Sequence, residues 1–307
     1  MLNLRRHQSG FTLVELVVVI IITGILSGFL VQFIILPMQS YTDVARRIRL
    51  VETAQIILQK ISIDVRQALP NSIRTGCQKN GKDTCLEMLR APLGGRYRAE
   101  EDKTVNPNLG NPLKIGAVDN DGFDILMPLT TADKTSIIRD TYLSADCAVD
   151  LPVYVSINNL EINAGSAWQF NNLARLTDLT VDTSFPSAAS VVTFQESDPD
   201  ETGQFEFEPG SALQRFYLVD TPIKFIIQDS KINRYDCYSL SKTANADSVP
   251  SVTPSILAIN IVDLTFEYQS ATDDLPFGLL NISITVKEDG GSEKVTLQHQ
   301  LQILNMS

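Results

Sequence analysis

Residues 4–36 read LRRHQSGFTLVELVVVIIITGILSGFLVQFIIL, and the rest of the chain is organised around them. Two cations, Arg5 and Arg6, precede a Gly10-Phe11 junction. A single carboxylate, Glu15, follows, and then an apolar run from Leu16 to Leu36 with Gln32 as its one strongly polar member. About 20 apolar residues, each rising 1.5 Å, cross a bilayer as a helix. A carboxylate at the edge of such a helix is costly unless it has a partner. A secretory signal peptide explains the basic start and the apolar run, but it ends in small residues of the A-x-A kind. Here the run gives way to PMQSYTD. A plain signal anchor explains the arginines and the run, and leaves Gly10 and Glu15 without a role.

The junction Ser9-Gly10-Phe11-Thr12-Leu13-Val14-Glu15-Leu16 closely resembles the class III leader of type IV pilins and type II secretion pseudopilins. In that family a prepilin peptidase cuts after the glycine and methylates the new amino group. The resemblance implies cleavage between Gly10 and Phe11, and an assembly role for Glu15 as the fifth mature residue. Cleavage leaves an ammonium at Phe11, where a helix begins and unsatisfied N–H groups already carry partial positive charge. Glu15 follows one turn later. In a bundle of such helices its carboxylate pairs with the Phe11 amine of a neighbour, so an expensive charge becomes a register-setting contact. Gly24 and Gly28 have the G-x-x-x-G spacing of close helix contacts, and read equally well as two small residues in an apolar helix.

The full chain has 307 residues and a formal net charge of −11. Loss of the leader removes Arg5 and Arg6 and leaves the mature form more acidic. Non-specific nucleic-acid binding depends on lysine and arginine, so no nucleic-acid partner is expected. Four cysteines, Cys77, Cys85, Cys147 and Cys237, lie beyond the apolar run; an even number outside the cytosol suggests disulfides. Three pairings are open. The favoured one joins Cys77 to Cys85 across QKNGKDT, whose Asn80-Gly81 step signals a turn, and leaves Cys147 with Cys237. Zinc is disfavoured: no cysteine pair has two-residue spacing, the only histidines are His7 and His299, and His7 leaves with the leader. No metal and no cofactor is expected.

Pro37 is expected to kink or break the helix. Apolar residues then recur at Val44, Ile48, Val51, Leu58, Ile61, Val65 and Leu69, with charges on other faces, which reads as an amphipathic continuation ending at Pro70. Here the resemblance narrows. The stretch 41–74, GGRYRAE at 94–100, QRFYLVDTPIKF at 214–225 and the ending LQHQLQILN resemble the minor pilins of MSHA-pilus biogenesis. Residues 76–125 read as loops with short strands. Strand patterns follow at Val153–Ile157, Ser190–Phe194, Arg215–Val219, Ile223–Ile227, Ile256–Tyr268, Leu279–Val286 and Lys294–Ile303. The last three, separated by turn-forming clusters at Asp273–Pro276 and Glu288–Gly291, form an expected antiparallel meander. Ser241–Pro254 reads as an exposed loop. The expected fold is α+β, a long N-terminal helix laid on an antiparallel β-sheet head. The expected divisions are a leader at 1–10, a transmembrane and assembly helix at 11–36, its amphipathic continuation at 37–69, and a β-rich periplasmic head at 70–307 with room for two sub-lobes.

Catalytic constellations are missing from the sequence. Asp119-Asn120-Asp121-Gly122 with Asp124 lacks the remaining ligands of a calcium loop, and a solvated turn is the better reading. The acidic segment from Glu196 to Glu208 reads the same way. His299 stands alone in a strand-like tail, GSA at 210–212 is not a nucleophile elbow, and Trp168 reads as packing. The chain is expected to be a structural subunit and not an enzyme. The resemblance implies a minor pilin that waits in the inner membrane with a periplasmic head and passes into a cell-surface pilus. Its implied partners are the major pilin, other minor pilins, the prepilin peptidase and the inner-membrane assembly platform. A minor pseudopilin of type II secretion and an adhesive or ligand-binding module on a pilin anchor are the alternatives.

Overall fold

The structure, a computed structural model, describes residues 10–30, 32–33, 36–100, 110–117, 121–139, 143–144, 147, 151–159, 166–184, 189–195, 205–270 and 277–304. Asp119 and Asn120 of the calcium-like loop, most of the acidic segment (196–204) and the turn cluster 273–276 lie outside the described residues. The chain divides into two compact units, Met1–Glu52 and Thr53–Ser307.

The first unit is helical. Helix α1 spans Leu13–Leu30, and α2 spans Leu36–Arg66 and supplies its last turns to the second unit. Residues 32–33 between them are wound as a π turn, just ahead of Pro37. Proline has no N–H for the carbonyl four residues back and its ring crowds that carbonyl, so helix regularity fails on its N-terminal side. In the first turn of α2 the missing N–H is one that would be unpaired anyway.

The apolar stripe expected along α2 is buried only over its second half. Ala54, Ile57, Ile61 and Val65, with Leu58 beside them, are buried at steps of three and four, whereas Val44 and Ile48 are exposed. The buried half packs on antiparallel sheets, and Asp64 on it pairs with Arg234 at 2.8 Å. After Arg66 the backbone tightens into i→i+3 bonds, Pro70 follows, and Leu69 N–H bonds to the Leu89 carbonyl at 2.8 Å. The periodicity had suggested a helix running to Leu69. Its last turn is instead spent joining the sheet.

The second unit is built from antiparallel sheets. The first runs in the order β1 (Arg74–Gly76), β2 (Cys85–Arg90), β11 (Thr221–Gln228), β12 (Lys231–Tyr235) and β13 (Ser255–Ile259). The second runs β3 (Leu93–Arg96), β10 (Arg215–Val219), β7 (Tyr154–Ser156), β8 (Leu173–Thr180), β9 (Ser190–Gln195) and β4 (Gly122–Ile125). Its core is aromatic: Phe123 packs against Tyr97, Phe194 and Phe216, and Phe207 against Phe194 and Phe205. The short helix α3 (Thr131–Ile137) carries a capping box between Thr130 and Asp133 and lies beside a two-stranded ribbon of β5 (Ile138–Arg139) and β6 (Leu143–Ser144).

The C-terminal sheet is a meander of β14 (Ile261–Gln269), β15 (Phe277–Lys287) and β16 (Lys294–Leu304). Its strands alternate: Leu280, Ile282, Ile284 and Val286 are buried, and the residues between them are half-buried. One sequence expectation is corrected here. Ile256–Tyr268 is not a single strand, because Asn260 takes a left-handed conformation (φ 61°) and splits it into β13 of the first sheet and β14 of the third. Asparagine tolerates positive φ better than the β-branched residues around it. Ser241–Pro254 holds no strand but is not a free loop. The carbonyls of Ala244 and Ser248 accept from Arg74 and Lys224 of the first sheet.

Candidate processing and assembly site

Gly10 and Phe11 lie ahead of the first helical residue, and both are exposed. Thr12 caps the helix: its Oγ1 accepts the backbone N–H of Glu15 at 3.2 Å, and its carbonyl accepts that of Leu16 at 3.2 Å. The Thr12-x-x-Glu15 spacing is that of a capping box, a signal present in the sequence and not read there. The cap fixes where the helix starts, so the Gly10-Phe11 peptide stays outside the hydrogen-bonded ladder. A Cβ built on Gly10 meets nothing within 4 Å, and its φ is not in the left-handed region. The chain's own fold therefore makes no demand for glycine at position 10.

Glu15 sits in the first turn of α1, where a carboxylate complements the positive end of the helix dipole. Beyond it, α1 carries no further charge and has no buried residue. Its length of 18 residues corresponds to about 27 Å at 1.5 Å per residue, close to a hydrocarbon core of about 30 Å. Its two hydroxyls are internally satisfied: Thr23 donates to the Val19 carbonyl at 2.6 Å and Ser27 to that of Thr23 at 2.7 Å. Open space surrounds Gly24 and Gly28.

The head is clamped by two disulfides. Cys77 and Cys85 are bridged with Cα atoms 5.4 Å apart, and the loop between them turns at Asn80 and Gly81, both with positive φ. That conformation, closed by reciprocal backbone bonds between Lys79 and Lys82, is the tight hairpin turn that Asn-Gly favours. Cys147 and Cys237, 90 residues apart, are bridged with the same Cα separation of 5.4 Å.

The first sheet carries a row of charges that no local pattern announces. Arg74, Glu87 and Lys224 face one another across β1, β2 and β11. Glu87 and Lys224 are buried. Arg74 Nε donates to Glu87 at 2.7 Å, the Tyr238 hydroxyl donates to the other Glu87 oxygen at 2.6 Å, and Lys224 Nζ lies 3.6 Å from the carboxylate. Arg74 also stacks on Trp168, with its guanidinium carbon 3.6 Å from the ring centroid. Burial pushes the Lys224 ammonium down, with Arg74 adding to the effect and Glu87 opposing it. Burial, helped by Glu87, pushes the Tyr238 phenol well above its ordinary 10.0. Each charge has an opposite neighbour, although Arg74 Nη2 is buried without a hydrogen bond, and the cluster ties the hairpin, the sheet and the 241–254 loop together. Among the described residues no group of three or more His, Cys, Asp or Glu is placed to hold a metal ion.

The family model for the prokaryotic N-terminal methylation motif matches residues 5–31, spanning the leader, the Gly10-Phe11 junction, Glu15 and α1. No curated protein and no solved structure matches the chain. The match is confined to the N-terminal segment; the methylation motif, the long apolar helix and a second helix packed on antiparallel sheets make the chain similar to type IV pilins and pseudopilins. Proteins of that family are structural and not enzymes.

Proposed function

We propose that this chain is a minor pilin of an MSHA-type type IV pilus, one that initiates or caps the fibre. It resembles the MSHA biogenesis protein MshO. The observation that carries the reading is the processing junction, in which Gly10, Phe11 and Glu15 stand in register ahead of an apolar helix. Cleavage after Gly10 frees the Phe11 amine for methylation, and the chain is held in the inner membrane by α1 with its head in the periplasm. Extraction into the fibre replaces lipid around α1 with neighbouring helices. The Glu15 carboxylate then pairs with the Phe11 amine of an adjacent subunit, which offsets the cost of carrying it into an apolar bundle. The exposure of Val44 and Ile48 fits a helix whose upper face is completed by other subunits. The four further segments that resemble MSHA minor pilins, spread from residue 41 to the end, support the narrower assignment over a secretion pseudopilin.

Head size supports a terminal position. Compact-domain scaling gives Thr53–Ser307 a radius of gyration of about 18 Å and a diameter of roughly 45 Å. Packed helices lie only about 8 to 10 Å apart. Heads this wide are hard to stack on successive subunits of a thin fibre, and an end position removes that constraint. Quantitative proteomics of sheared pili, referenced to the major pilin, tests the reading. Trace stoichiometry and a sharp loss of piliation on deletion are expected. A copy number near that of the major pilin, or normal piliation in the deletion strain, overturns it. Recovery with a secretion pseudopilus instead of pili assigns the chain to type II secretion, and binding of the head to surface glycans with piliation intact assigns it to adhesion.

A further inference from the structure

We infer that the head binds an uncharged, hydroxyl-rich ligand, a neutral oligosaccharide, in a groove of about 870 Å³ on the C-terminal sheet. The groove lies wholly within the second unit, and the inference stands apart from any place in a fibre. Its floor is the face of the meander turned away from the buried Leu280, Ile282 and Ile284. Strand register sets Thr265, Ser283 and Gln298 in one row across β14, β15 and β16, and Glu267, Asn281 and Gln300 in the next. Strands lie about 4.8 Å apart and same-face residues about 6.8 Å apart along a strand, so the six side chains form an array of roughly 10 by 7 Å. The hairpin between Cys77 and Cys85 forms one wall, through Gln78, Gly81 and Lys82. That wall is fixed before any ligand arrives. The disulfide closes its base, the Asp83 carbonyl accepts the Phe266 N–H of β14 at 2.9 Å, and the Asp83 carboxylate accepts the Thr75 hydroxyl. A site held in advance loses less binding energy to ordering.

The chemistry of the floor selects the ligand. Five of its six side chains are amides or hydroxyls, and Glu267 is its one carboxylate. The other charges on this face, Asp263, Lys287 and Lys294, lie toward the opposite end of the sheet. Among the described residues none of the six side chains is hydrogen-bonded within the chain, whereas Thr285 and Thr296 in the next row satisfy each other at 2.8 Å. An amide presents a donor and an acceptor side by side, and a hydroxyl presents both. A ligand that covers such groups displaces their water, and one that cannot return the hydrogen bonds loses affinity. An apolar ligand fails that condition over the whole floor. A sugar, with a hydroxyl on nearly every carbon, meets it. Lys82 and Glu267 are of opposite sign and the Asp83 carboxylate is tied to Thr75, so no cluster of one sign marks the groove for an ionic ligand.

Titration calorimetry of the full chain tests this, in a polyoxyethylene detergent because a maltoside would compete for the groove. The probes are cellohexaose and maltohexaose, with the β-1,4 glucosamine hexamer as a cationic counterpart, all in high salt to screen the acidic surface of the chain. The better neutral probe is expected to bind at millimolar Kd or tighter, and at least tenfold more tightly than the amine. Asn281→Ala and Gln300→Ala are each expected to weaken binding at least threefold, and together at least tenfold. Lys294→Ala, outside the groove, is expected to leave binding unchanged. Gln300→Glu keeps the size of the side chain and replaces its donor with a charge; it is expected to weaken neutral binding too, which keeps the test alive if an alanine variant fails to fold. The Asn281→Ala/Gln300→Ala chain is expected to be cleaved and to support pili normally, so loss of binding and failure of the pilin reading are separate results. Binding of neither neutral probe at millimolar concentration overturns the inference. So does tighter binding of the amine, or undiminished binding by the folded double variant.

Discussion

Removing the two disulfides separately should destabilise the head unequally. In each pair one sulfur is fully enclosed and the other is more open: Cys85 is 0% and Cys147 2% exposed. Cys→Ala substitutions therefore carry similar packing losses in both pairs, and the difference between them reports loop closure. The bridged separations are 8 and 90 residues. Chain-entropy scaling gives about 2.5 kcal/mol for the short loop and about 4.6 kcal/mol for the long one. Unfolding entropy scales with length, and for Thr53–Ser307 it comes to about 0.5 kcal/mol per degree. Cys147→Ala/Cys237→Ala is then expected to lower Tm by about 9 °C from loop closure, and Cys77→Ala/Cys85→Ala by about 5 °C. Thermal unfolding of the detergent-solubilised chain, followed by near-UV circular dichroism, is the assay. A short-loop variant that loses as much as the long-loop variant, or more, refutes the reasoning: the long bridge would then not be restraining the unfolded chain.

Gly10→Val is expected to leave an uncleaved precursor in the membrane while the head retains both disulfides, because the fold leaves position 10 open; immunoblotting of membrane fractions shows it. Glu15→Val is expected to be cleaved normally yet to reduce pilus number, counted by electron microscopy; a block in cleavage would place Glu15 in peptidase recognition instead. The third concerns alkaline pH. The unfolded Tyr238 phenol ionises near its ordinary 10.0 while the folded one retains its proton, so stability falls as pH rises above 10. Tyr238→Phe is expected to lessen that fall. It should also cost about 1 to 3 kcal/mol at neutral pH, since Glu87 loses a 2.6 Å hydrogen bond, and urea unfolding at pH 7.5 and 10.5 separates the two effects.

The long apolar helix and the C-terminal meander were legible because each rests on a local period or a single residue type. The Asn80-Gly81 turn was legible for the same reason. Less was visible where topology decides. Arg74, Glu87, Lys224 and Tyr238 become neighbours only because β1, β2 and β11 lie side by side, and nothing near any one of them forecasts the others. Asn260 hid inside an apolar run, since a left-handed asparagine and an ordinary strand asparagine look alike in sequence. Val44 and Ile48 fit the helical period as well as Ile61 does. The period reports which face is apolar and not what covers it.

The central claim is that this chain is a processed, pilin-like subunit. Its most direct test is intact-mass and N-terminal peptide spectrometry of the protein purified from membranes of its own cells. The expected N-terminal peptide begins at Phe11 with one added methyl group on the amine, and no peptide spans Gly10-Phe11. A mature protein that begins at Met1, or that is cut after Leu36 with α1 removed, would contradict it.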